Sequence, residues 1–177
     1  GLGSYLRATT DPRLWSGLWR MVLFGAMQIP LIIGMALLAA LLMDSGTSRL
    51  RRFFRVGVFL PYAVPSVVTA LMWGYIYGPT FGPFAQLAQA IDLEPFAFLT
   101  STYILPSLAN VATWQYTGYN AIILFAGLQA ISPDLYEAAA IDGANRWQTA
   151  FYIKLPALRP TLLLTLVFAL IGTFQYF

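Results

Sequence analysis

The sequence has 177 residues, of which 59% are hydrophobic and 10% are charged, with a formal net charge of +3. A soluble domain carries about a quarter charged residues, so this composition excludes an ordinary soluble fold and indicates an integral membrane protein. The absence of cysteine and histidine excludes disulfides and any nucleophile or metal site built on those side chains. The basic residues are scattered or lie beside apolar runs, which favours topology signals over a nucleic-acid surface.

Four apolar runs predict membrane-spanning helices and make the expected fold class all-α and polytopic. The first, residues 21–43, would be about 34 Å long as a helix, enough to cross a hydrocarbon core of about 30 Å. The second and third are residues 56–77 and 104–131. The fourth begins at Thr161 and is still apolar at the end of the sequence. A short helix on the outer surface is predicted at residues 85–91.

Basic residues are concentrated in the first and third connections between these runs, whereas the second connection, residues 78–103, has no lysine or arginine. The residues concerned are Arg49, Arg51, Arg52, Arg55, Arg146, Lys154 and Arg159. Because positive connections stay in the cytoplasm, the first and third are predicted inside and the second outside. The amino-terminal tail then lies outside although it holds three arginines, a conflict that an earlier span would remove.

The third connection is too polar to enter the bilayer, because its five charged residues between 137 and 159 would each cost about 2.5–3.5 kcal/mol near the centre. Its pattern predicts two short helices instead. Ser132 is the expected N-cap of the first helix, with Pro133 at its first position. Gly143 is expected to end that helix with a positive φ, and Asn145 to cap the second helix.

The second short helix would place Trp147, Ala150 and Phe151 on one face. Pro156 and Pro160 are expected to break the chain before the fourth span. An interfacial helix-turn-helix without a partner would account for the same caps, but it would not account for the wider spacing of this segment.

That spacing is Glu-Ala-Ala at 137–139, glycine at 143, isoleucine at 153 and Leu-Pro at 155–156. It resembles the coupling loop of ABC importer permeases of the binding-protein-dependent (MetI-like) superfamily, and most closely that of carbohydrate permeases of the maltose and glycerol-phosphate type. The remaining residues that carry the resemblance are Gly1-Leu2-Gly3-Ser4-Tyr5, Phe53-Phe54-Arg55, Phe59-Leu60-Pro61, Trp73, Gly82, Trp114, Gly118 and residues 128–133. By the resemblance, the residues that couple to the ATPase are Glu137, Ala138, Ala139, Asp142, Gly143, Ile153, Leu155 and Pro156.

The resemblance implies a MetI-like helical bundle that works by alternating access in the cytoplasmic (inner) membrane of a bacterium or archaeon. Its implied partners are a second permease subunit, two ATPase subunits and an extracytoplasmic binding protein that delivers a sugar. The chain would be a transport subunit and no enzyme, with ATP and magnesium on the ATPase subunits, since it lacks a phosphate-binding Gly-rich loop. Residues 1–177 would form one permease domain, incomplete at both ends, with 132–160 as its coupling loop.

Polar side chains inside the predicted spans indicate where a substrate would pass, because such groups usually face a cavity or the bundle interior. On the third span, polar and tryptophan side chains fall within about 140° of arc at about 100° per residue. Gln28 is the strongly polar residue deep in the first span. The candidates for the substrate pathway are Gln28, Asn110, Trp114, Thr117 and Asn120. The alternative is that these groups only join helices.

Three other functions are compatible with the sequence. The same kind of transporter would carry glycerol phosphate or another polar solute. A structural membrane protein would have a similar composition without transport. A membrane-embedded enzyme is the third, although no nucleophile–base pair or metal cluster is recognisable for it.

Overall fold

The computed structural model describes residues 9–45 and 48–174, with side chains described for 9–45 and 54–174. Within these residues the fold is all-α and contains no β-strand, as predicted. Several residues named above lie outside the described part of the chain or have undescribed side chains: Gly1 to Tyr5, Arg49, Arg51, Arg52 and Phe53.

The helices of the described residues follow the chain in a simple order. They are α1 (Pro12–Ser45), α2 (Ser48–Ala63), α3 (Ser66–Ile76), α4 (Pro83–Ala90), α5 (Ile104–Gln129), α6 (Pro133–Ile141), α7 (Arg146–Thr149), a π-helical turn (Ala150–Lys154), α8 (Leu155–Ala157) and α9 (Arg159–Phe174). Helices were predicted at the positions of α1, α4 and α5, and all three are present; α4 and α5 agree within two residues at each end, whereas α1 begins at Pro12, well before the predicted residue 21.

The centre of the bundle is α5, which packs lengthwise along α1 and also contacts α2 and α9. Small side chains let the two long helices approach closely, as is common between membrane helices. At one end of the bundle, Ala36 and Ala40 of α1 are fully buried against Ala121 and Leu124 of α5. At the other end, Phe24 of α1 is buried between alanines of α5. The longest helices therefore form one rigid pair.

Among the described residues, α1 alone is long and apolar enough as a single helix to cross a membrane. Two bent pairs, Phe54–Ala63 with Ser66–Ile76 and Arg146–Ala157 with Arg159–Phe174, meet the same criteria of length and composition when each pair is taken together. Although α5 has 26 residues, it does not meet them. Its middle carries polar side chains, and these lie among neighbouring helices.

The prediction of one continuous span at residues 56–77 is wrong. The structure has two helices, α2 and α3, that meet at an angle of 97°. Pro65 explains the break, because it has no N–H and disfavours a helical conformation at Val64. The carbonyl oxygen of Val64 accepts a hydrogen bond from Nε2 of Gln115 on α5, at 3.3 Å. The break is thus held by a polar side chain of the central helix.

The break predicted at Pro156 and Pro160 is present, but it lies between the two prolines rather than at Pro156. Helical structure continues through Pro156, which lies in the first turn of α8, and the 64° bend comes at Leu158. Proline fits there because the first turn of a helix needs no N–H donor. Leu158 is fully buried and anchors the bend in the core. The next helix begins at Arg159 rather than at Thr161.

Candidate functional site

The first short helix of the 132–160 segment, α6, begins as the sequence predicts. Ser132 is its N-cap, and its side chain accepts a hydrogen bond from the backbone N–H of Asp134 at 3.3 Å. Pro133 occupies the first helical position, where its missing N–H has no cost. Asp134 lies in the first turn, where a carboxylate complements the positive end of the helix dipole. Both predicted residues, Ser132 and Pro133, are confirmed.

The turn between the short helices depends on Gly143, whose φ is +73°. Its N–H donates to the carbonyl oxygen of Ala140 at 3.2 Å, and the N–H of Ala144 donates to that of Ala139 at 2.9 Å. This pair of bonds is the Schellman arrangement, which satisfies the last carbonyl groups of a helix and reverses the chain. The predicted positive φ at Gly143 is confirmed, and the turn fixes the angle between α6 and α7.

Asn145 starts the second short helix with a complete capping box. Its Oδ1 accepts from the N–H of Gln148 at 2.9 Å, while Oε1 of Gln148 accepts from the N–H of Asn145 at 2.8 Å. Four backbone donors are orphaned at every helix start, and two of the donors at this end are satisfied here. The rings of Trp147 and Phe151 stack at 6.4 Å, as expected from their shared face.

The outer surface of this helix pair is unusually apolar for a charged loop. Ile141 is 86% exposed, Trp147 75% and Tyr152 79%. A cleft of about 400 Å³ between the two short helices is lined by Leu135, Ala138, Ala139, Asp142, Gly143, Ala144, Gln148, Tyr152 and Ile153. Large apolar side chains rimmed by polar ones mark surfaces that bind another protein or a membrane.

Residues assigned to coupling are distributed over this surface. Glu137, Ala138, Asp142, Gly143 and Pro156 are exposed. Ala139 is buried, and Ile153 and Leu155 are half-buried. The exposed members can meet a partner directly, whereas Ala139 and Ile153 line the cleft between the two short helices.

One charged contact attaches the segment to the bundle, and the sequence analysis did not find it. Nζ of Lys154 lies 2.5 Å from Oδ2 of Asp44, at the end of α1. Oδ1 of the same carboxylate accepts from Nε2 of Gln129 at 3.0 Å. Asp44 and Lys154 are 110 positions apart, so no local pattern links them. Asp44 is the one acidic residue within α1. A carboxylate at the end of an otherwise mostly apolar helix was the signal that the sequence offered for such a contact.

Tyr136 of α6 lies beside this contact. Its ring centroid is 5.6 Å from Nζ of Lys154, within the range of a cation–π interaction. Burial raises the pKa of the Tyr136 hydroxyl above its ordinary value, and the nearby negative charge of Asp44 raises it further. The hydroxyl is therefore protonated throughout the physiological range and adds no negative charge to the cluster.

A second candidate site is a cavity of about 470 Å³ between α1, α2, α5 and α9, a volume typical of small-molecule sites. It is lined by Gln28, Ile32, Tyr62, Tyr116, Tyr119, Asn120, Phe168, Ala169, Ile171 and Gly172. Gln28 is 4% exposed and Asn120 5%. Among the described residues, neither Oε1 of Gln28 nor Oδ1 of Asn120 has a hydrogen-bond partner. Buried polar atoms are usually paired, so two such acceptors in one cavity favour a polar ligand.

Three tyrosines form the aromatic wall of this cavity. The rings of Tyr62 and Tyr119 stack at 5.0 Å, and Tyr116 meets Tyr62 edge-on at 6.0 Å. Tyrosine combines an apolar ring face with a polar hydroxyl. Sequence reasoning missed all three. For the two on α5 a signal was available, because Tyr116 lies one helical turn before Tyr119 and Asn120.

The other pathway candidates lie away from the cavity lining. Nδ2 of Asn110 donates to the hydroxyl of Tyr77 at 2.7 Å. Trp114 packs edge-on against Trp73 with ring centroids 5.7 Å apart. Thr117 donates to the carbonyl oxygen of Thr113 within its own helix. The structure thus brings Gln28 and Asn120 together but places Asn110, Trp114 and Thr117 in helix–helix or intrahelical contacts.

An apolar helical bundle with a broken helix, an interior polar cavity and a capped helix pair at one end defines a polytopic membrane protein. The chain belongs to the family described as "Binding-protein-dependent transport system inner membrane component", which matches residues 32–177. This confirms the expected family.

Named relatives agree with this membership. The chain is 34% identical to the lactose transport system permease protein LacF of Rhizobium radiobacter, with all of this chain and 60% of LacF covered. It is 32% identical to the trehalose/maltose transport system permease protein MalF of Thermococcus litoralis, again over all of this chain and 60% of MalF. A third relative, the sn-glycerol-3-phosphate transport system permease protein UgpA of Brucella abortus, is also 32% identical, over 98% of this chain and 60% of UgpA. The chain thus spans less than two thirds of the length of these relatives.

A solved structure has the same fold. A chain from a bacterial ABC transporter involved in the import of the acidic polysaccharide alginate superposes with a TM-score of 0.90 and 25% sequence identity. The superposition covers 99% of this chain and 64% of that one. The expected fold class, a MetI-like permease bundle, is confirmed.

Proposed function

We propose that this chain is the membrane-spanning core of a permease subunit in an ATP-driven importer, and that it carries a sugar handed over by an extracytoplasmic binding protein. The observation that carries the proposal is the capped helix pair around Gly143, which presents Glu137, Ile141 and Trp147 on one exposed end of an apolar bundle. The names of the relatives, all transport system permease proteins, support the same activity.

In this proposal residues 1–177 are one permease domain and residues 132–160 are its cytoplasmic coupling loop. The loop docks into an ATPase subunit, with the exposed Glu137 and Asp142 at its polar rim and Ile141 in the groove. A second permease and a second ATPase complete the assembly. ATP and magnesium are held by the ATPase subunits, and closure of those subunits moves the loop.

The cavity between α1, α2, α5 and α9 is the proposed passage for the substrate. Its amide acceptors on Gln28 and Asn120 suit the hydroxyl donors of a sugar, and the stacked rings of Tyr62 and Tyr119 suit its apolar face. No lysine or arginine lines the cavity within the part of the chain that the structure describes. A neutral sugar therefore fits this wall better than glycerol phosphate, whose charge would need a cationic partner.

The experiment is reconstitution of the full-length permease with its partner permease, ATPases and binding protein in liposomes, followed by uptake of labelled sugars and of glycerol phosphate. ATP-dependent uptake of a sugar is expected. Uptake of glycerol phosphate alone would assign the second cargo class. Assembly without uptake of any solute and without stimulated ATP hydrolysis would contradict transport and favour a structural role.

A further inference from the structure

We propose that Asp44 and Lys154 form a strut that makes the first long helix move with the coupling loop. Both are positioning residues in this proposal, since they act on the cavity through α1 and do not touch the substrate. The inference rests on the proposed function, because it concerns how movement of the 132–160 loop reaches the cavity.

The strut joins two chain segments that are 110 positions apart in the sequence. Asp44 is the second-last residue of α1, and Lys154 is the last residue of the π-helical turn in the loop. Their side chains are 2.5 Å apart and only 13% and 15% exposed. A partly buried pair is less screened by salt than a surface pair, so its attraction persists under physiological conditions.

The carboxylate of Asp44 contacts both the helical bundle and the loop. Oδ1 of Asp44 accepts from Gln129 at the end of α5, while Oδ2 meets Lys154 of the loop. The ring of Tyr136 in α6 lies against Lys154. The ends of the two longest helices and both halves of the loop thus meet at one point, which is the arrangement needed to transmit a displacement.

Helix α1, which has Asp44 near its end, also forms one wall of the cavity. Gln28 and Ile32 line the cavity and belong to α1. Sixteen residues separate Gln28 from Asp44, about 24 Å along a helix at 1.5 Å per residue. Since α1 is helical throughout this stretch, a push at Asp44 reaches Gln28 without an intervening loop.

The loop side of the strut is locally irregular. Residues Ala150–Lys154 form a π-helical turn, a rare element that concentrates at functional sites. Lys154 is the single lysine of the sequence, where every other basic residue is arginine. A compact ammonium on a flexible stem suits one carboxylate oxygen, whereas guanidinium favours two.

The first test measures the number of substrate molecules transported per ATP hydrolysed in the reconstituted full-length complex. Lys154→Met and Asp44→Asn are each expected to lower this ratio at least threefold while assembly and binding-protein-stimulated hydrolysis persist. Lys154→Arg should retain more of the ratio than Lys154→Met, because it keeps the positive charge beside Asp44. Arg159→Met is the matched control, since it removes an exposed positive charge from the same loop, and its ratio should equal that of the unaltered protein.

Equal ratios for Lys154→Met and the unaltered protein would overturn the strut, as would an equal loss in Arg159→Met. A complex that assembles with unaltered chain but performs no ATP-driven uptake would instead contradict the proposed function. The two failures are therefore distinguishable in one set of liposomes.

The second test uses the absence of cysteine in the chain. Asp44→Cys with Lys154→Cys is expected to lower the ratio, and joining the two thiols with a short bis-maleimide should restore it, because a rigid link replaces the ion pair. Each single cysteine variant treated with the same reagent is the control. A cross-linked protein that stays uncoupled, or that stops transporting, would show that the loop and α1 move separately and would overturn the strut.

Discussion

Gly118 on α5 lies directly against the backbone of Val58 on α2, with no space for a side chain between them. A Cβ atom at Gly118 would lie 2.7 Å from the carbonyl carbon of Val58 and 2.8 Å from Cα of Phe59. Real Cβ atoms do not approach backbone atoms so closely. The contact sets how deeply α2 sits on α5, and thereby places Tyr62 at the cavity.

Gly118→Ala is expected to destabilise the bundle by about 2 kcal/mol or more, because backbone rather than a flexible side chain must move. The measurement is thermal unfolding of the purified protein in detergent. Gly57→Ala on α2 is the control, since a Cβ there meets nothing within 4 Å. An unchanged melting temperature for Gly118→Ala would contradict the close approach.

Gly143→Val is expected to uncouple ATP hydrolysis from uptake, because a non-glycine residue at a φ of +73° is strained by about 1–2 kcal/mol. Nothing lies within 4 Å of a Cβ there, so the effect is one of backbone conformation alone. Gly143→Asn is the matched variant, since asparagine adopts this conformation with little strain. Transport and hydrolysis are measured together, and equal coupling in both variants would refute the turn's role.

Asn120→Ala is expected to raise the substrate concentration for half-maximal uptake about fivefold, the effect of losing one hydrogen bond of about 1 kcal/mol. Gln28→Ala should act in the same direction. Asn110→Ala provides the comparison, because its amide bonds to Tyr77 and lies outside the cavity lining. It should lower thermal stability more than it alters uptake. The reverse pattern would move the pathway towards Asn110.

The orientation of the chain is testable with single cysteines at two exposed positions, Gln89 on α4 and Tyr152 on the loop. An impermeant thiol reagent applied to intact cells is expected to label Gln89→Cys but not Tyr152→Cys. Both should label after solubilisation, which controls for burial of the loop by a partner. Labelling of Tyr152→Cys alone in intact cells would invert the topology.

Local features of this chain could be predicted because they depend on neighbouring residues. The cap at Ser132, the positive φ at Gly143 and the cap at Asn145 each follow from conformational preferences over four or five positions. The helix α1 could be predicted equally well, from its long apolar stretch. These elements account for the geometry of the loop.

Contacts between distant segments could not be predicted in the same way. Nothing in the sequence near Asp44 indicates Lys154, and nothing near Tyr62 indicates Tyr119. The break at Pro65 was foreseeable from proline chemistry, but nothing local indicates its 97° angle. The cavity is a product of such long-range packing, which explains why only two of the five pathway candidates, Gln28 and Asn120, line it.

The polarity of α5 has a consequence for how the protein is made. A helix with amides at Gln115 and Asn120 near its middle gains little from lipid on its own, whereas α1 contains an 18-residue stretch with a mean hydropathy of 2.2. Since α5 lies along α1, the earlier helix supplies the surface on which the later one becomes stable. The order of synthesis, α1 before α5, therefore suits biogenesis: a nascent α5 always emerges when its support is already in the bilayer.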